Sequence, residues 1–260
     1  MKVVILCGGL GTRLREETEF IPKPMMEIGG KPILWHIMKI YAHYGYKEFI
    51  LCLGYKGEMI KDYFLNYEAM NNDFTIRLGS PSKINFNSNH AEDGWKVTLA
   101  NTGEKAMTGS RIKQVEKYIT EDEFMVTYGD GLADIDLTRL LKLHRKQKKI
   151  GTLTGVRPLS RFGEVIEDRG IVKDFIEKPQ ASEGYINGGF FVFNRKFFDY
   201  LSKEHDCVLE RQPLEQLTGE RQLSIYPHKD FWQCMDTYRD YRYLKDMWEA
   251  GNAPWKIWKR

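Results

Sequence analysis

Residues 1–14 read "MKVVILCGGLGTRL". Val3, Val4, Ile5 and Leu6 form a short apolar run, and Gly8, Gly9 and Gly11 follow it at once. A run of that length bounded by glycines reads as a buried first strand ending in a turn. The period then changes. Over 31–44 the apolar residues Ile33, Leu34, Ile37, Met38 and Tyr41 share one helical face, Pro32 suits a first turn, and Gly45 is placed to end the helix. Residues 49–53 are a second apolar run, and 58–67 read as a helix through Met59, Ile60, Tyr63 and Phe64. Strand and helix alternate with short connections, which predicts an α/β fold with a mostly parallel sheet covered on both faces. Ligands of such sheets bind beyond the carboxyl ends of the strands, where the first glycines fall.

Farther along, 73–78 and 95–100 read as strands, with a polar excursion over 79–94 between them. Thr108 is placed to cap a helix through Ile112, Val115 and Ile119. Residues 124–127 form a buried strand ending in Tyr128-Gly129-Asp130-Gly131. A helix over 137–146 and a strand over 150–155 come next. The second half is richer in strands: 163–166, 171–176 and 184–193, then helices at 195–201 and 209–217. A strand at 222–226 precedes the segment 231–236, and the last helix starts near Tyr238. No repeat, low-complexity tract or linker divides the chain. The expectation is one domain over 1–260, with a first part over 1–155 and a β-rich lobe plus C-terminal helix over 156–260.

Composition agrees. The 260 residues are 42% hydrophobic and 29% charged, as in an ordinary globular protein. Lys and Arg number 39 against 36 Asp and Glu, leaving +3. Such a balance favours neither nucleic acid nor a membrane surface as a partner. No apolar run reaches the roughly 18 residues of a membrane span, and the first run is too short for a secretory signal. A cytoplasmic protein is expected. The cysteines at 7, 52, 207 and 234 form no Cys-x-x-Cys pair. Cys7 and Cys52 end apolar runs and are expected in the core, without disulfides. The aromatic, basic tail with Trp255 and Trp258, and the 79–94 excursion, are candidate contact surfaces for a homo-oligomer.

The candidate chemistry begins at residues 8–14. A strand entering a glycine-rich turn presents backbone N–H groups to phosphate oxygens, and Arg13 adds a forked cationic donor. A plain strand-to-helix turn has the same glycines. A dinucleotide fingerprint starting at Gly9 needs glycine at position 14, which is Leu14, and a P-loop needs Gly-Lys where Gly11-Thr12 stands. Lys23 lies between Pro22 and Pro24, whose rings restrict the backbone and can aim the ammonium. Alone it reads as a loop lysine. With the glycine turn and Arg13 it makes three phosphate-directed elements within a short span, a pattern suited to a triphosphate. Asp130, at a strand end between two glycines, can hold a hard cation, and Asp236 is the natural second ligand. Capping of the last helix is the rival role for Asp236. Asp134 and Asp136 are nearby decoys.

"GGLGTRL" at 8–14 with "PKPM" at 22–25 resembles the nucleotide-binding element of the sugar-phosphate nucleotidyltransferases. "YGDG" at 128–131, "IEKP" at 176–179, "INGGFFVF" at 186–193 and "FWQCMDT" at 231–237 resemble later motifs of that family, in order along nearly the whole chain. The resemblance implies a Rossmann-like mixed sheet with an added sugar-binding lobe. It implies a nucleotide site at Leu6, Gly8, Gly9, Gly11, Thr12, Arg13, Lys23, Thr108, Gly109, Arg111 and Gly129. The sugar phosphate would meet Gly163, Glu177, Lys178, Asn187 and Gly188, and Mg2+ would meet Asp130 and Asp236. Arg13, Lys23 and Asp130 would be catalytic. Within the family, "EIGGKPILWHIMK" at 27–39, "GYKG" at 54–57 and "APWK" at 253–256 most resemble members that use CTP and glucose 1-phosphate. The same chemistry with UTP or dTTP, and a regulatory protein that binds a nucleotide sugar without turnover, remain the alternatives. Cys7 and Cys234 depart from the residues usual at those places, Ala and Pro.

Overall fold

The computed structural model describes residues 1–11, 14, 19–77, 85–86, 92–157, 164–176 and 184–258. Thr12, Arg13, Gly163, Glu177, Lys178 and most of the 79–94 excursion lie outside them.

Among the described residues the main sheet has eight strands: β1 (Val3–Cys7), β2 (Glu48–Leu53), β3 (Lys96–Asn101), β4 (Glu123–Tyr128), β5 (Gly151–Val156), β6 (Ile186–Asn187), β7 (Phe191–Asn194) and β8 (Leu223–His228). β1 pairs in parallel with β2 on one side and β4 on the other, and β2 pairs in parallel with β3. Beyond β4 the sheet turns antiparallel through β7, which pairs with β4 and β5. β6 pairs antiparallel with β5, and β8 runs parallel to it. The sheet is mixed and mostly parallel, as the strand–helix alternation implies.

Seven helices accompany it among the described residues: α1 (Ile33–His43), α2 (Gly57–Leu65), α3 (Tyr67–Asn71), α4 (Thr108–Gln114), α5 (Leu137–Gln147), α6 (Gln212–Gly219) and α7 (Tyr238–Glu249). Successive strand residues point to opposite faces. Val3, Ile5, Phe49, Leu51 and Met125 pack on one side with Ile37 and Tyr41 of α1 and Leu140 of α5. Val4, Ile50, Phe124 and Val126 pack on the other with Ile112 of α4 and Leu217 of α6. Burial on both faces explains why these strands read as continuous apolar runs. Cys7 and Cys52 are buried in these two layers.

Several sequence expectations need correction. Residues 184–193 form two strands rather than one, because Gly189 and Phe190 both take left-handed conformations (φ 77° and 46°) and break the ladder. The helix expected at 195–201 is a 3-10 turn, Arg195–Tyr200. The helix expected from 209 starts at Gln212, because Arg211 before it takes a non-helical backbone (φ −102°, ψ −122°). Among the described residues of the strand expected at 73–78, only Phe74–Thr75 pairs, with Asn85–Phe86. The tail aromatics are not exposed contact surface. Trp255 is wholly buried, and Trp258 packs against the core. Apolar exposure is found instead on the hairpin Glu164–Asp168/Ile171–Ile176, at Val165, Ile171, Val172 and Phe175. No helix among the described residues is long and apolar enough to cross a membrane.

Candidate active site

β1 and β4 lie side by side, so their carboxyl ends deliver Gly8 and Gly129 to the same place. Gly129 donates its N–H to Leu6 O at 3.1 Å, and a Cβ there would sit 2.8 Å from that oxygen. Gly8 is needed for a different close approach. Its Cβ would fall 2.2 Å from the guanidinium carbon of Arg111, and a Cβ on Gly54 would fall 2.6 Å from Nη1. Arg111 is 4% exposed and committed to the protein. Nη2 donates to Gly8 O (2.9 Å) and Glu104 O (3.2 Å), and Nη1 to Leu53 O (3.0 Å), Thr102 Oγ1 (2.8 Å) and Gly103 O (2.8 Å). One buried cation thereby gathers the carboxyl ends of β1, β2 and β3.

Asp130 and Asp236 are brought together by a short ladder. Trp232–Cys234 pairs antiparallel with Gly131–Ala133, and Met235 donates its N–H to Asp130 O at 2.9 Å. Lys23 begins a 3-10 turn after Pro22. Its Nζ lies 2.6 Å from Asp130 Oδ2 and 2.7 Å from Asp236 Oδ1. Burial alone would lower the lysine pKa. The two carboxylates outweigh it and raise the pKa above its ordinary 10.5. The rival roles resolve clearly. The cap of α7 is Thr237, in a capping box with Asp240. Asp136 caps α5, and Asp134 pairs with His228 Nε2 at 3.1 Å.

Two carboxylates that meet on one ammonium can also meet on one cation. They offer hard oxygen donors, and among the described residues no third His, Cys, Asp or Glu completes a cage. That donor set fits a small divalent ion that takes one or two carboxylates and fills its remaining positions with phosphate oxygens and water.

A cleft of about 450 Å³ opens over these groups. Leu6, Gly8, Gly9, Gly11, Lys23 and Gly129 line it, with Asp130, Asp236, Thr108 and Arg111. Gly109 does not. It lies inside α4, where a Cβ would meet Cys207 Sγ at 2.7 Å. That close approach of α4 to the 207–209 segment needs a glycine there. Thr108 is the first residue of α4 rather than its cap, which is Met107.

Asn187 reaches the cleft through Tyr128, whereas Gly188 is held by Trp232, outside the cleft lining. Asn187 Nδ2 donates to the Tyr128 hydroxyl at 2.9 Å, and Gly188 O accepts from Trp232 Nε1 at 2.8 Å. Sequence reasoning gave no role to Tyr128, Trp232 or Glu210, nor to the wall at 104–106. Tyr128 stood inside a quoted motif and could have been singled out. Glu210 carries no local signal, since its partners lie 82 and 102 residues away.

The chain matches the family described as Nucleotidyl transferase over residues 2–247. It belongs to that family. It is 47% identical over 260 residues to the glucose-1-phosphate cytidylyltransferase of Salmonella typhi, covering 100% of both chains. It is 46% identical over 266 residues to the probable glucose-1-phosphate cytidylyltransferase of Bacillus subtilis, covering 99% of this chain and 100% of the relative. Among solved structures, HddC from Yersinia pseudotuberculosis complexed with GMP-PN superposes with a TM-score of 0.70 at 26% identity, over 95% of this chain and 99% of that one. Nucleotidyltransferases of this family typically use a divalent metal, nucleoside triphosphates and sugar phosphates.

Proposed function

We propose that the chain transfers a cytidylyl group from CTP to α-D-glucose 1-phosphate, giving CDP-glucose and pyrophosphate. The observation that carries the reading is the meeting of Lys23, Asp130 and Asp236 at the foot of the glycine turn. The choice of CTP and glucose 1-phosphate is supported by full-length similarity to the two cytidylyltransferases.

In this reading the glycine turn from Gly8, with Thr12 and Arg13, binds the triphosphate, and Lys23 neutralises it. Asp130 and Asp236 hold Mg2+, which when bound supplies further neutralisation of the phosphate oxygens. Glu177, Lys178 and Asn187 hold the sugar phosphate. A phosphate oxygen of glucose 1-phosphate, already anionic at neutral pH, forms a bond to the α-phosphorus. The opposite bridging P–O bond breaks, and its electron pair leaves with pyrophosphate. No protein nucleophile takes part, so catalysis is positioning and charge stabilisation.

The test is a nucleotide panel with glucose 1-phosphate, scored by pyrophosphate release. CTP should give the highest kcat/KM. Preference for UTP or dTTP would reassign the base, and tight CDP-glucose binding without pyrophosphate release would make the chain a sensor.

A further inference from the structure

We propose that Glu210 is a positioning residue that locks the two walls of the cleft together and fixes the hydrogen-bond direction along the sugar-binding wall. The proposal rests on the reading of the cleft as a CTP and glucose 1-phosphate site. Glu210 does not line the cleft; it is an exposed residue that reaches two residues of the lining. Its Oε2 accepts from the Thr108 hydroxyl at 2.8 Å, and its Oε1 accepts from the Tyr128 hydroxyl. Thr108 and Tyr128 both line the cleft, one at the start of α4 and the other at the end of β4.

The chain of bonds continues on both sides. The Tyr128 oxygen accepts from Asn187 Nδ2 at 2.9 Å, and Asn187 Oδ1 accepts from the N–H of Gly189 at 3.0 Å. The Thr108 oxygen accepts from the N–H of Leu209 at 2.9 Å. Each step has one direction because its centre is a carboxylate. An ionised carboxylate only accepts, so both hydroxyls must turn their protons to Glu210. The Tyr128 oxygen is then left to accept, and Asn187 must present its amino group to it. The Asn187 amide is therefore held at both ends, at Oδ1 by the Gly189 N–H and at Nδ2 by the Tyr128 oxygen, and Glu210 secures the second of these by keeping that oxygen an acceptor.

Glu210 is carried by a segment otherwise tied to α4. Met107 N–H donates to His205 O at 2.8 Å, Ser110 N–H to Cys207 O at 3.0 Å, and the Ser110 hydroxyl to Lys203 O at 3.0 Å. The backbone of the strap therefore stays in place without the carboxylate. Removing the charge alone tests polarity, and Glu210→Gln does this at constant size, since an amide both donates and accepts.

The two walls should respond unequally. Thr108 keeps its bond from Leu209, whereas Tyr128 loses the group that sets its direction, and Asn187 then keeps only the bond from Gly189. Glu210→Gln should raise KM for glucose 1-phosphate about tenfold while KM for CTP moves less than about threefold, the loss of a charge-assisted hydrogen bond on one side only. In a Tyr128→Phe background the same change should add less than about twofold, because the two residues act as one unit.

A substrate-free readout stands beside the kinetics. In protein labelled with 15N-asparagine, the Asn187 side-chain resonance, identified by its loss in Asn187→Asp, should shift in Glu210→Gln. Equal rises in both KM values, full additivity with Tyr128→Phe, or a lowered Tm with no KM split would overturn the proposal. So would an unmoved Asn187 resonance. A shifted resonance in a protein whose wild type does not turn over CTP with glucose 1-phosphate would keep the network and discard the proposed reaction.

Discussion

Lys23 stands where a metal's charge is wanted. Its ammonium touches both carboxylates, at 2.6 and 2.7 Å, in a part-buried site where their mutual repulsion would otherwise be uncompensated. In the proposed reading the lysine and a divalent cation share ligands, and the two residue types should fail differently. In that reading Lys23→Ala removes a donor to the transferring phosphates, so kcat should fall roughly 10²–10³-fold, or about 3–4 kcal/mol. Its half-saturating Mg2+ should not rise, because the carboxylates lose a competitor. Asp130→Asn should raise the Mg2+ requirement sharply. Magnesium titrations of pyrophosphate release separate the two, and a Lys23→Ala enzyme needing much more magnesium than wild type would refute the shared-ligand picture.

Asp236 depends on the elements around it. The ladder Trp232–Cys234/Gly131–Ala133 sets its distance from Asp130, and the capping box of α7 fixes the chain just after it. Thr237 accepts from the Asp240 N–H, and the Asp240 carboxylate accepts from the Thr237 N–H at 2.8 Å. Thr237→Ala should cost about 1 kcal/mol in urea unfolding, the usual worth of such a cap. It should also raise the Mg2+ requirement, because it loosens the start of α7 beside a ligand. A lost kcal/mol with unchanged magnesium dependence would uncouple cap from site. The sequence made the parallel strands legible, since burial on both faces leaves uninterrupted apolar runs such as Val3 to Leu6. It made Asp130 legible through its glycines. The kink at Gly189 and Phe190 was not legible, because a phenylalanine at φ 46° is imposed by the fold, where its ring stacks on Tyr41 at 5.8 Å. The roles of Arg111 and Glu210 were hidden for a related reason: their partners come from several distant strands and loops.

Across the whole molecule, the C-terminal segment closes back on α1 through a histidine. His36 is fully buried with Trp35, Trp248, Trp255 and Trp258 around it, at ring separations of 5.0, 4.7, 6.3 and 6.2 Å. Its Nε2 lies 2.8 Å from Ile28 O and so carries the proton, which leaves Nδ1 to accept from Trp255 Nε1, 219 residues away, at 3.4 Å. Burial holds the imidazole neutral and lowers its pKa from 6.5 to about 4. The unfolded chain takes up a proton below 6.5, whereas the folded chain resists until about 4, so stability from this group is intact above 6.5 and drains as pH falls through that window. The whole effect amounts to about 3 kcal/mol. His36→Gln is expected to be less stable than wild type at neutral pH, because the cluster loses packing. Its stability gap to wild type, measured by urea unfolding at stepped pH, should close by about 3 kcal/mol between pH 6.5 and 4, since every carboxylate that titrates in that window is common to both proteins. A gap that stays constant with pH would mean that His36 is protonated or solvated, and that the tryptophans do not seal the tail onto α1.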